Sequence, residues 1–99
     1  MKQKCDSTST IKLMRKVRIK NALGLHSRPA TVIVRLLQGS RSSVSFTYRK
    51  ETINAKSIMS ILMLAATKNS LITIVIDGED AADTMQKIVE AFENQFGEQ

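Results

Sequence analysis

The apolar residues of this chain switch several times between two repeat lengths, and the order of the switches limits the folds open to it. Val17 and Ile19 alternate with Lys16, Arg18 and Lys20, which predicts a half-buried strand. Asn21 to Leu25 reads as a loop containing Gly24. Ala30, Ile33, Val34 and Leu37 then recur at helical spacing, with Arg35 and Gln38 off the stripe and Gly39 closing the helix. Val44, Phe46 and Tyr48 alternate with Ser45 and Thr47 as a second strand, and a polar turn at Arg49–Glu51 leads to a short one at Thr52–Asn54. Ser57 precedes Ile58, Met59, Ile61 and Leu62, a short second helix expected to end at Asn69 and Ser70. Leu71–Ile76 is a further strand, broken by Gly78. Asp80 is placed to cap a last helix, with Asp83 in its first turn and Met85, Ile88, Val89, Phe92 and Phe96 on its inner stripe. The order βαββαβα predicts an α+β two-layer fold, three helices covering one sheet face while Ser45, Thr47 and Thr73 face water on the other.

Ninety-nine residues fit one domain and suffice to bury a core without metal or disulfide. Residues 1–14 read as a flexible N-terminal extension, and 15–99 as the domain. Lys and Arg total 15 against 9 Asp and Glu, a net charge of +6. The imbalance is local: residues 1–56 carry 13 basic and 2 acidic side chains, residues 57–99 carry 2 and 7. A basic front half points to an acidic partner, whether nucleic acid, a membrane surface, phosphate or an acidic protein face. The apolar stretches around Ile58–Ala66 and Leu71–Ile76 are too short to span a bilayer, and Met1–Thr10 has no secretory apolar core, so a cytoplasmic location is expected. Cys5 is the one cysteine, which fits a reducing compartment and has neither His nor Cys nearby.

The chemistry-bearing segment is Gly24-Leu25-His26-Ser27-Arg28-Pro29-Ala30. Proline is tolerated in the first turn of a helix, where its missing N–H would have no partner, so His26 falls at or just before the N-cap. The free N–H groups of Ser27 and Arg28 and the positive end of the helix then lie beside its ring. Arg28 adds a guanidinium able to grip phosphate oxygens, and a phosphate at a helix N-terminus is physically at home. Positive charge nearby disfavours the protonated ring, and a neutral ring nitrogen is what a nucleophile needs. The group therefore fits a reversible phosphoryl acceptor. The sequence shows no partner base, paired carboxylates or metal-ligand set, so neither a metal nor a cofactor is expected and the chain does not read as an independent catalyst. A solvated loop histidine beside a solvated arginine is the rival reading of the same residues.

Together with Asn54-Ala55-Lys56-Ser57-Ile58-Met59, this segment resembles the HPr family, the histidine-containing phosphocarriers of the bacterial phosphoenolpyruvate-dependent sugar phosphotransferase system. Both motifs occur in the family's order and spacing, and the resemblance spans roughly residues 16–96. It implies an open-faced β-sandwich with a four-stranded antiparallel sheet. It implies that enzyme I phosphorylates His26 on a ring nitrogen, that Arg28 contacts the transferring group, and that the phosphate passes to enzyme IIA. Ser57 matches the serine modified by HPr kinase/phosphorylase in many bacteria, a change implied to weaken enzyme I docking and to recruit transcriptional regulators. The chain departs from common members at Ser60 and in the hairpin Arg49-Lys50-Glu51, where Gly is frequent.

Locally, Ser57 is an ordinary N-cap, and a phosphate there suits the helix dipole while placing close to two negative charges beside an apolar face. Ile58, Met59 and Leu62 are more apolar residues than so short a helix can bury, which makes part of this stripe a docking candidate. Arg28 and Arg35 share a helix face, and with Lys56 form a basic rim for acidic partners. A monomer is expected. Two relatives of this reading stay open: an adaptor acting mainly through phospho-Ser57, and a carrier of a nitrogen-related phosphotransferase branch. A nucleic-acid-binding module is disfavoured, because the four aromatics, Phe46, Tyr48, Phe92 and Phe96, all suit core positions.

Overall fold

A computed structural model describes residues 11–98. The elements are β1 (Ile11–Arg18), α1 (Ser27–Leu37), β2 (Ser43–Tyr48), β3 (Glu51–Asn54), α2 (Ile58–Leu64), β4 (Leu71–Gly78) and α3 (Ala81–Glu93), followed by a short 3-10 turn at Gln95–Gly97. The four strands form one antiparallel sheet in the order β1-β4-β2-β3, so the expected α+β open-faced sandwich is the fold observed.

The register explains how two layers arise. Leu13 pairs with Ile76, Val17 with Ile72, and Val44 and Phe46 with Ile76 and Ile74. These side chains share the face covered by Ala30, Ile33 and Leu37 of α1, Ile61 and Leu64 of α2, and Met85, Ile88 and Phe92 of α3. Phe46 and Phe92 meet edge to face, with ring centroids 5.8 Å apart. On the open face Ser45, Thr47 and Thr73 are half-buried by their neighbours, and Thr47 and Thr52 join hydroxyls across β2 and β3 at 2.8 Å.

Several features differ from expectation; β1 stops at Arg18, short of Ile19 and Lys20, and β4 runs through to Gly78. β1 begins at Ile11, so Ile11–Met14, assigned above to a flexible extension, pair with β4 instead; residues 1–10, including Cys5, lie outside the described residues. α2 ends at Leu64 and not near Asn69. Ala65 takes the left-handed conformation, with its N–H on the Leu62 carbonyl, and the chain turns to bury Ala66. Asn69 is also left-handed (φ 72), but in a separate turn. Phe96 is buried as expected yet lies beyond α3, in the 3-10 turn. Asp80 occupies the N-cap of α3 without capping it. Its carboxylate turns to the α1–β2 connection, accepting from the Ser40 hydroxyl (3.1 Å), the Arg41 N–H (2.9 Å) and the Ser42 hydroxyl.

Candidate phosphoryl-acceptor site

His26 is the N-cap of α1, extended at φ −84 and ψ −164, and its carbonyl accepts the first helical bond from Ala30 N–H at 3.0 Å. Its ring makes no capping bond, and no acidic residue stands in the first turn. The N–H groups of Ser27 and Arg28 therefore have no helical acceptor, and Pro29 has none to satisfy. Arg28 and Ser27 are exposed beside them.

The loop that presents His26 is fixed from below. Gly24 adopts φ +68, and a Cβ there would collide with the Ala66 carbonyl and the Thr67 backbone. Leu25 is buried and its N–H donates to the Ala66 carbonyl at 3.0 Å. The chain leaving α2 is thus the platform for the His26 loop, which docks just past the left-handed Ala65 that ends the helix.

A carboxylate absent from the sequence reading faces the ring. Glu98 Oε2 lies 3.0 Å from His26 Nε2, with the ring about one-third exposed and the carboxylate more deeply placed. Glu98 also accepts from the buried Asn21 amide at 2.8 Å, and Asn21 bonds the Gln95 carbonyl at the same distance. The Asn21 bond first, then the His26 bond and charge and the Arg28 charge, hold the Glu98 carboxyl below its usual value against the opposing effect of desolvation. Behind Glu98, Phe96 packs edge to face on Phe92 with centroids 4.8 Å apart, anchoring the turn to the core. Asn21 and Glu98 are the site residues missed above. The sequence carries no local signal for either: Asn21 reads as an ordinary loop residue, and its burial and its bond to Glu98 come from the fold.

Ser57 is the N-cap of α2, its hydroxyl accepting from Ser60 N–H at 3.2 Å. Ile58, Met59 and Leu62 are all exposed, as are Met63 and Leu23, which the sequence reading did not single out. Arg35 is exposed in the last turn of α1. Lys56 is committed elsewhere: its ammonium donates to the Ser40 carbonyl at 2.9 Å, beside the Asp80 cluster. Among the described residues no three His, Cys, Asp or Glu side chains group as metal ligands, and no helix is long and apolar enough to cross a membrane.

Residues 13–94 match the family model described as "PTS HPr component phosphorylation site". The chain belongs to the HPr family. It is 54% identical over 80 residues to the phosphocarrier protein HPr of Chlamydia pneumoniae, covering 81% of this chain and 74% of that one. Against HPr of Xylella fastidiosa it is 39% identical, covering 81% and 90%. Its fold superposes on the crystal structure of HPr-C-His from Thermoanaerobacter tengcongensis with a TM-score of 0.84 at 30% identity, covering 88% and 98%. The HPr of Bacillus anthracis gives 0.78 at 30% identity, covering 82% and 96%. The general role of this HPr chain is that of a phosphocarrier of the bacterial phosphotransferase system, which carries a phosphoryl group and is not itself the catalyst.

Proposed function

We propose that His26 accepts the phosphoryl group on Nδ1 from phosphorylated enzyme I and passes it to enzyme IIA in the cytoplasm. The contact between His26 Nε2 and Glu98 carries this reading. A carboxylate only accepts, so Nε2 carries the hydrogen and the lone pair of the neutral ring resides on Nδ1. Nδ1 attacks phosphorus and forms the new N–P bond. The bond from phosphorus to the donor's nitrogen breaks, and its electron pair leaves with the donor. The transferred dianion is stabilised by the free amides at the start of α1 and by the Arg28 guanidinium. Transfer to enzyme IIA is the same exchange in reverse.

The exposed side chains of Ile58, Met59 and Leu62 form the apolar part of the docking face, with Arg28 and Arg35 as its basic rim. Lys56 contributes charge near Ser57 while its head is tied to Ser40. Phosphorylation of Ser57 by HPr kinase/phosphorylase sets a dianion at the edge of this apolar face and weakens enzyme I docking. A regulatory role through phospho-Ser57 is favoured alongside phosphoryl carriage by that placement.

The test is incubation with enzyme I and phosphoenolpyruvate, followed by mass spectrometry. An acid-labile phosphate on His26, absent from a folded His26→Ala variant, is expected. Labelling of that variant to the same extent overturns the assignment. A chain that the kinase modifies at Ser57 but enzyme I never labels is an adaptor only.

A further inference from the structure

We infer that the outer edge of β1 and the groove beside it form a second docking site, for an extended peptide segment that alternates apolar and acidic side chains. Two independent features point there. The first is the sheet order: β1 is an edge strand, and among the described residues nothing pairs with its outer side. All eight of its residues pair inward with β4, so the N–H and C=O of every second residue point outward with no strand partner among the described residues. An extended chain laid along such an edge continues the ladder.

The second feature is what flanks that edge. On the helix side a groove of about 410 Å³ runs between β1 and α3, lined by apolar Leu13, Ala82, Met85 and Val89 and also by Arg15, Glu90 and Glu93, the two carboxylates keeping acidic side chains of a partner out of the groove. A strand added beside β1 directs alternate side chains into it, and an apolar floor selects apolar ones. The intervening side chains of the added strand emerge on the open face. There the register places Lys12 and Lys16 at alternate positions, with the exposed Met14 between them. Neither lysine forms an ion pair among the described residues. Carboxylates on the incoming strand fall opposite them, and cross-strand pairs of opposite charge favour the ladder. Thus the edge sets the conformation of the partner, the groove sets one half of its side chains, and the lysines set the other half.

A second copy meets the edge badly. Two β1 strands laid together bring Lys12 and Lys16 opposite the basic side chains of the other copy, and like charges directly opposite are destabilising. This surface lies on β1 and α3, whereas the acceptor reading rests on His26 at the start of α1, so the two readings fail separately.

The test uses the full chain, labelled for NMR, and a capped peptide of about eight residues alternating valine and glutamate. Expected are saturable shifts of β1 amides and of the Leu13, Met85 and Val89 methyls, with outward β1 amides gaining protection from exchange. The Lys12→Glu/Lys16→Glu variant, altered only at exposed positions, should bind about tenfold more weakly. A peptide N-methylated at every amide, unable to donate from either edge, should not bind. Equal binding of a valine–lysine peptide, equal binding of the N-methylated peptide, shifts confined to other surfaces, or self-association through β1 in place of peptide binding each overturns the proposal.

Discussion

His26 Nε2 lies 3.1 Å from Oε1 and 3.0 Å from Oε2 of Glu98, so one ring nitrogen of His26 is held by a residue 72 positions further along the chain. In the neutral ring, a hydrogen on Nε2 facing this carboxylate leaves the lone pair on Nδ1. The contact also ties His26 to the packing of Phe96, since Phe96 lies in the short 3-10 turn that Glu98 caps.

Removing the carboxylate should therefore release the tautomer before it disturbs the fold. In Glu98→Ala, ring ¹⁵N shifts of the neutral histidine are expected to show a mixture of Nδ1–H and Nε2–H forms, where the unsubstituted chain shows Nε2–H. Phosphoryl acceptance from enzyme I is expected to slow by about three- to tenfold, the worth of one orienting hydrogen bond. Glu98→Gln, which keeps an acceptor oxygen, should recover most of the rate.

Asp80 makes acid stability testable. The Ser42 hydroxyl first and the Arg41 N–H next hold its carboxyl well below the usual carboxylate range, against desolvation. A carboxyl depressed on folding contributes stability that is whole above its unfolded value of about 3.9 and is lost as pH falls toward the folded value. Asp80→Asn is expected to lower the Tm by about 5 °C at pH 7. That gap should narrow between about pH 4 and pH 2. Thermal unfolding of both chains across this range measures it, and a gap that stays constant would mean that charge plays no part.

Gly24→Ala sets a Cβ against the Ala66 carbonyl at a left-handed position. A cost of about 2 kcal/mol is expected, read as a lower urea midpoint with unchanged slope. Because Leu25 N–H bonds the same carbonyl, labelling of His26 should slow as well.

Ser57 allows capping and charge to be separated. Ser57→Ala loses the bond from Ser60 N–H and should cost about 1 kcal/mol with little effect on enzyme I. Ser57→Asp keeps a good cap and should stay within about 0.5 kcal/mol of the parent, yet raise the KM for transfer from enzyme I several-fold. Equal KM values for the two variants would remove the regulatory reading of this serine.

Features fixed by local chemistry were legible in the sequence. Pro29 announces a first helical turn and so places His26 at the N-cap, and Ser57 before Ile58 announces α2. What depended on distant partners was not. Ile11–Met14 look like a polar tail until β4 lies alongside them, since their pairing comes from Val75, Ile76, Asp77 and Gly78. Ala65 has no intrinsic reason to turn left-handed, and it does so where the next residue receives the His26 loop. Phe96 keeps the helical spacing from Phe92 while its backbone leaves the helix at φ 55. Glu98 is held beside the histidine by the amide of Asn21, distant in sequence, and by the packing of Phe96.

The strand order has a consequence for how this chain is made. β1 is synthesised early, yet its only partner among the described strands is β4, which leaves the ribosome after both α1 and α2. Until then the sheet has no centre, and Ile11–Arg18 must wait as an unpaired strand. Its lysines and arginines make two copies of that segment poor partners for each other, and the four-stranded sheet closes only when Leu71–Gly78 enters between β1 and β2.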